Sequence, residues 1–77
     1  MKITVKYFGM IAEITQCDEE IIDFSGSMMS EFLKIVHSKY PELKNKDFQI
    51  AQNQELVALK TSVTGQELAL LPPFAGG

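Results

Sequence analysis

The chain has no arginine, one cysteine and one histidine among its 77 residues. Its seven lysines face ten acidic residues, giving a net charge of -3 and a pI near 4.9. No basic stripe is left to neutralise phosphates, so a nucleic-acid partner is not expected. A lone Cys17 cannot close a disulfide within the chain, and with His37 as the only histidine a Cys/His metal set cannot be assembled. No metal site is expected, and Cys17 reads as a structural or turn residue. No segment approaches the ~20 apolar residues of a membrane helix. Met1 to Phe8 alternates polar and apolar residues and carries Lys2 and Lys6, unlike the apolar run of a signal peptide. The expectation is a cytoplasmic protein with no membrane partner.

Length sets the next bound. A domain this small buries about 60 to 65% of the surface its unfolded chain exposes, enough for one modest core and no self-contained catalytic cleft. Hydrophobic residues at 45% and charged residues at 22% are the proportions of a globular chain rather than a disordered one.

Ile3, Val5 and Tyr7 alternate in Lys2 to Phe8 and predict a first, half-buried strand. Gly9 to Cys17 breaks the alternation as a hairpin link, and after Asp18-Glu19-Glu20 a second strand runs from Ile21 to Phe24. Ser25-Gly26-Ser27 supplies turn chemistry, with Ser27 as the expected N-cap. Met29, Phe32, Leu33, Val36 and Tyr40 then form one stripe of an amphipathic helix, ended by Pro41. A polar loop from Glu42 to Asp47 follows, with Leu43 as its anchor. Phe48 to Gln52 and Glu55 to Lys60 flank Asn53-Gln54 as a hairpin. Thr64-Gly65 is a turn, Glu67 to Leu71 a last strand, and Pro72-Pro73 stops it. One helix must bury its stripe on a small mixed sheet, with the first and last strands adjacent at the centre. The predicted architecture is α+β, a β-grasp or ubiquitin-like domain over residues 1–71 with an extended C-terminal tail over 72–77.

Few side chains offer chemistry. His37 falls in the last turns of the helix, where an imidazole suits the negative end of the dipole. Asp18-Glu19-Glu20 reads as a solvated turn, and the serines lack an activating base. The terminal carboxyl is the remaining candidate. At neutral pH it is an anion with a pKa of about 3.3 to 3.7 and a poor electrophile. Adenylation by another enzyme would convert it to a mixed anhydride that a sulfur donor could attack, leaving a thiocarboxylate on Gly77. Gly76 would clear a narrow partner channel. Pro72, Pro73, Phe74 and Ala75 would form a stiff positioning arm, its six residues to Gly77 reaching at most about 20 Å. Leu70, Leu71 and Phe74 are candidate docking contacts.

Leu70-Leu71-Pro72-Pro73-Phe74-Ala75-Gly76-Gly77 resembles the terminal signature of the ubiquitin-like sulfur carriers of the MoaD/ThiS superfamily, and within it the molybdopterin synthase small subunits. The resemblance extends through the opening strand, Tyr40-Pro41-Glu42-Leu43, Asn53-Gln54 and Gly65-Gln66-Glu67-Leu68. The chain departs from the pattern in having no arginine after the first strand and Gln66 where an acidic residue is usual. The resemblance implies a sulfur-donating subunit without a catalytic pocket of its own. Its partners would be a large subunit in a heterotetramer, an ATP-dependent adenylating enzyme and a sulfur donor enzyme. No cofactor would be bound permanently, only the covalent adenylate or thiocarboxylate at Gly77. Sulfur would go to a cyclic pyranopterin precursor to build the molybdopterin dithiolene. A carrier for thiamine or transfer-RNA thiolation, a protein modifier and a plain binding module are the alternatives.

Overall fold

The computed structural model describes residues 1–64 and 67–73. A five-stranded mixed sheet is built from β1 (Lys2–Tyr7), β2 (Glu19–Asp23), β3 (Gln49–Gln52), β4 (Glu55–Leu56) and β5 (Leu68–Leu71), in the order β2-β1-β5-β3-β4. Among the described strands only β1 and β5 run parallel, and they sit at the centre. This is the predicted β-grasp arrangement. Helix α2 (Met29–Lys39) covers one face, and Ile3, Val5, Leu68 and Leu70 of the two central strands are fully buried beneath it with Met29, Phe32 and Val36. Phe32 meets Phe24 edge to face at 5.4 Å between ring centres, a geometry aromatic pairs favour.

The register follows from alternation. Tyr7, Leu70 and Ile50 lie in one inward row, while Lys6, Ala69 and Ala51 lie in the neighbouring outward row. Leu43 is fully buried in a 3₁₀ turn over Pro41–Asn45, as its predicted anchor role requires, and the helix ends at the predicted proline.

Three local expectations are corrected. The segment after Gly9 is a short helix, α1 (Met10–Thr15), which buries Ile11 and Thr15 one turn apart and stops where Gln16 takes a left-handed conformation. The N-cap of α2 is Met28 rather than Ser27. Glu31 reaches back and its Oε1 accepts the amide hydrogens of Ser27 and Met28, each at 2.9 Å. Those amides hold its carboxyl below the usual range. The strand expected to reach Lys60 ends at Leu56, because the chain then turns to serve the helix. The carbonyls of Thr61 and Leu59 accept the amide hydrogens of Met29 and Ser30 at 2.9 and 3.1 Å, donors that a helix start otherwise leaves unpaired. The predicted hairpin turn at Asn53-Gln54 is present, both residues at positive φ, as two-residue hairpins require. Of the Thr64-Gly65 turn, Gly65 lies outside the described residues.

Glu20 overturns the reading of the acidic cluster as a solvated turn. Its position opposite Val5 points it inward from the edge strand. Its Oε2 accepts hydrogen bonds from Tyr7 and Tyr40 hydroxyls, both at 2.6 Å, and Oε1 pairs with the Lys39 ammonium. Burial pushes the Glu20 carboxyl up, but the donors Lys39, Tyr40 and Tyr7 outweigh it and hold the carboxyl below its ordinary range. Burial, reinforced by this acceptor, raises both phenols far above their ordinary value.

A depressed carboxyl stabilises the fold above its unfolded value, ordinarily 4.5, and that stability is lost as pH falls through the lower folded value. Glu20→Gln should therefore cost about 1.5–3 kcal/mol at neutral pH, the worth of hydrogen bonds to a charged group. Urea melts between pH 7 and about 3 should show a shallower acid loss in the variant than in the parent. Parallel acid limbs would show that Glu20 carries no such linkage.

Candidate functional site

The tail leaves the fold from the end of β5. Because β5 lies between β1 and β3, the backbone at its exit is held from both sides. Gln49 pairs with Leu71 on one flank, and Phe8 donates its amide hydrogen to the Leu70 carbonyl at 3.2 Å on the other. Gly9 follows at φ 59 and ψ −136, a combination essentially confined to glycine. It also stands where a Cβ would lie 2.9 Å from Pro72 Cγ. Glycine at this position lets the turn into α1 close against the first tail proline. Pro72 and Pro73 are both partly buried; Phe74, Ala75, Gly76 and Gly77 lie outside the described residues.

The docking expectations divide by parity. Leu70 is fully buried and belongs to the core, so its side chain is withdrawn from the docking set. Leu71 points to the open face and is half-buried. There it lines a depression of about 470 Å³ with Phe8, Ala69, Ala51 and Leu56. Phe8 is 43% exposed and Leu56 61%. Lys6 and Glu67, paired at 3.1 Å, border this apolar floor. Phe8 and Leu56 were missed from sequence. For Phe8 the signal existed: odd residues of β1 face inward, so an aromatic at position 8 had to face out.

The other chemistry-bearing residues do not gather here. His37 is half-buried on α2, its ring edge to face with Phe48 at 6.1 Å. Cys17 packs against the core, and its carbonyl accepts the Thr15 hydroxyl at 3.1 Å. Among the described residues no group of three His, Cys, Asp or Glu side chains could hold a metal ion, and no helix is long and apolar enough to cross a membrane. What the described residues bring together is Pro72, seated at the end of a strand in the sheet's centre, and an apolar face beside it.

Comparison with known proteins agrees with this geometry. The ThiS family profile matches residues 5–77. A Pyrococcus furiosus protein assigned as subunit 1 of a molybdopterin converting factor superposes with a TM-score of 0.88 at 22% identity, covering 96% of this chain and 99% of its own. At that identity it speaks for the fold alone. SAMP1 from Haloferax volcanii is 25% identical over the whole of both chains, with a TM-score of 0.83. A chain from the complex of subunits 1 and 2 of the Helicobacter pylori molybdopterin-converting factor is 28% identical, again over the whole of both chains, with a TM-score of 0.68.

Gly9→Ala forces a side chain into both the strained torsion and the Pro72 contact. It should lower unfolding free energy by about 1–3 kcal/mol, the cost of holding such a conformation without glycine. Chemical denaturation checks the loss, and amide shifts of Phe8, Leu71 and the Pro72-adjacent backbone should move in the folded variant.

Proposed function

The chain belongs to the ThiS family, a ubiquitin-like sulfur carrier in the MoaD/ThiS lineage, and from that premise we propose that it is the sulfur-donating small subunit of a molybdopterin synthase. The reactive group is the carboxylate of Gly77. The observation that carries the reading is the seating of Pro72 at the end of the central strand, immediately before a Pro-Phe-Ala-Gly-Gly segment that the family match includes through residue 77. A tail of this composition, launched from a rigid strand beside an apolar face, suits insertion into a partner's site. The similarity to a chain of a two-subunit molybdopterin-converting factor supports a partner subunit of that kind.

In the proposed cycle the adenylating enzyme joins the Gly77 carboxylate to the AMP portion of ATP, releasing pyrophosphate and making the acyl carbon electrophilic. A sulfur donor displaces AMP and leaves the thiocarboxylate. In the large subunit's site, the thiocarboxylate sulfur attacks a carbon of the pyranopterin precursor and displaces an oxygen leaving group from it, and water then cleaves the acyl–sulfur bond; two such deliveries supply the two sulfurs of one dithiolene. Sulfur stays on the pterin and the carboxylate returns. This chain supplies the arm and the docking surface of Phe8, Leu56 and Leu71; the pocket is the partner's. Gly76 excludes side-chain bulk where the tail threads.

The similarity to a small archaeal modifier protein favours a second reading, attachment of Gly77 to lysines of other proteins. Both readings share the activation step and part at its product. After incubation with adenylating enzyme, ATP and a sulfur donor, the intact chain should gain the mass difference between sulfur and oxygen, localised by fragmentation to Gly77. On adding the large subunit and the precursor, that gain should disappear as dithiolene forms. Isopeptide-linked adducts would select the modifier reading instead. Removing Gly77, or replacing Gly76 with valine, should reduce sulfur delivery at least about a hundredfold, the scale of a misplaced reacting group. Urea midpoints should stay unchanged. Full activity in either variant would overturn the assignment of the reactive end.

A further inference from the structure

A second depression, of about 460 Å³, lies at the β3–β4 edge on the side of the sheet covered by α2. Leu33, Leu43, Phe48 and Ile50 line its floor, and Val57 to Leu59 form its outer wall. The wall is fixed to the helix by the bond from Ser30 N–H to the Leu59 carbonyl, and its turn is closed by Thr61 N–H on the Ala58 carbonyl at 3.1 Å. Yet Leu59 itself is 52% exposed, an aliphatic side chain held at an opening rather than folded under it.

The strand edge beside the groove is open. β4 pairs only with Ala51 and Gln52, and one further bond joins Val57 N–H to the Ile50 carbonyl at 3.0 Å. Gln49 is paired with Leu71 on the inner side, and just ahead of β3 the outward backbone groups of Phe48 have no backbone partner among the described residues. An uncovered edge presents donors and acceptors at the spacing of a strand, so what completes it must be extended. In an added strand every second side chain points one way, here into the apolar groove. Charge narrows the choice. On a chain of net charge -3, the ionisable residues lining the groove are Lys44, Lys46 and His37 against Asp47 alone.

We propose that this groove binds an extended peptide segment of a partner protein, aliphatic at alternate positions and flanked by acidic residues, which pairs as a short strand with the open backbone at Phe48, ahead of β3. The acidic flank meets Lys44 and Lys46, the aliphatic side chains enter beside Leu59 and Phe48, and the peptide backbone takes the open edge. The groove meets the Phe8–Leu56–Leu71 face at Leu56, which borders both depressions, but it asks nothing of the Gly77 carboxylate, so it stands or falls apart from the carrier reading.

The test titrates the isotopically labelled chain with a synthetic peptide of glutamates followed by alternating valine and threonine. Saturable amide shifts are expected at Leu33, Phe48, Gln49, Val57 and Leu59. The joint variant Lys44→Glu and Lys46→Glu should weaken binding about tenfold, as reversing two facing charges does. The exposed-site variant Leu59→Ser should weaken it with the urea midpoint preserved. A peptide N-methylated at alternate amides should fail to saturate. Equal binding by the N-methylated peptide would overturn strand addition, and indifference to charge reversal would overturn the acidic partner. Shifts confined to Ala69 and Leu71 would place binding on the other face. Concentration-dependent shifts at the groove without peptide would make it an interface between copies of this chain, and would equally overturn the proposal.

Discussion

Parallel pairing of β1 with β5 is the constraint on which the remaining structure depends. Three aligned pairs, Val5 with Leu68, Lys6 with Ala69 and Tyr7 with Leu70, settle which residues of each strand meet α2 and which meet the surroundings. A slip of one residue would exchange the two sets, exposing Leu68 and Leu70 and burying Leu71. The apolar open face and the tail's point of departure are both products of that register. So is the requirement at position 9, since the strand that carries Pro72 runs directly alongside the turn out of β1.

The large features were legible because their signals are local. The alternation of Ile3, Val5 and Tyr7, the α2 stripe and the stop at Pro41 each involve residues within a few turns of one another. The features that sequence did not disclose depend on distant partners. Glu20 sits in a run of acids, and nothing near it reveals that Tyr7 and Tyr40 will bring hydroxyls to one oxygen. β4 looked longer because Val57 to Lys60 is apolar enough for a strand; the unpaired amides of α2 claim that backbone instead. α1 is too short for helical periodicity to show. The proposal at Gly77 rests on other grounds altogether, the chemistry of a terminal carboxylate rather than folding.

The two edges of the sheet are treated differently. β2 carries Glu20 turned inward, tied to Tyr7 of β1 and to Lys39 and Tyr40 at the end of α2. An ion facing in from an edge strand makes pairing with a foreign strand costly, and here the same ion binds strand to helix. At the opposite edge β4 is two residues long and, among the described residues, leaves the backbone of Phe48 just ahead of β3 uncovered. The molecule thus closes one flank with charge and keeps the other as bare backbone beside aliphatic side chains. Conformational specificity and interaction capacity are distributed to opposite sides of one small sheet.

The central pairing also orders events during synthesis. Until residues 68–71 have left the ribosome, β1 has only β2 beside it, and a two-stranded ribbon is marginal in water. The contacts that complete the sheet span nearly the whole sequence, and such long-range closures are the slow ones in folding. The core therefore cannot mature while the chain is still being elongated through β5. Pro72 reaches its seat against Gly9 only in a molecule whose sheet is already assembled, so presentation of the arm is coupled to the success of folding. A partner that docks on the strand end and its neighbouring face reads, in one contact, both the address and the integrity of the carrier.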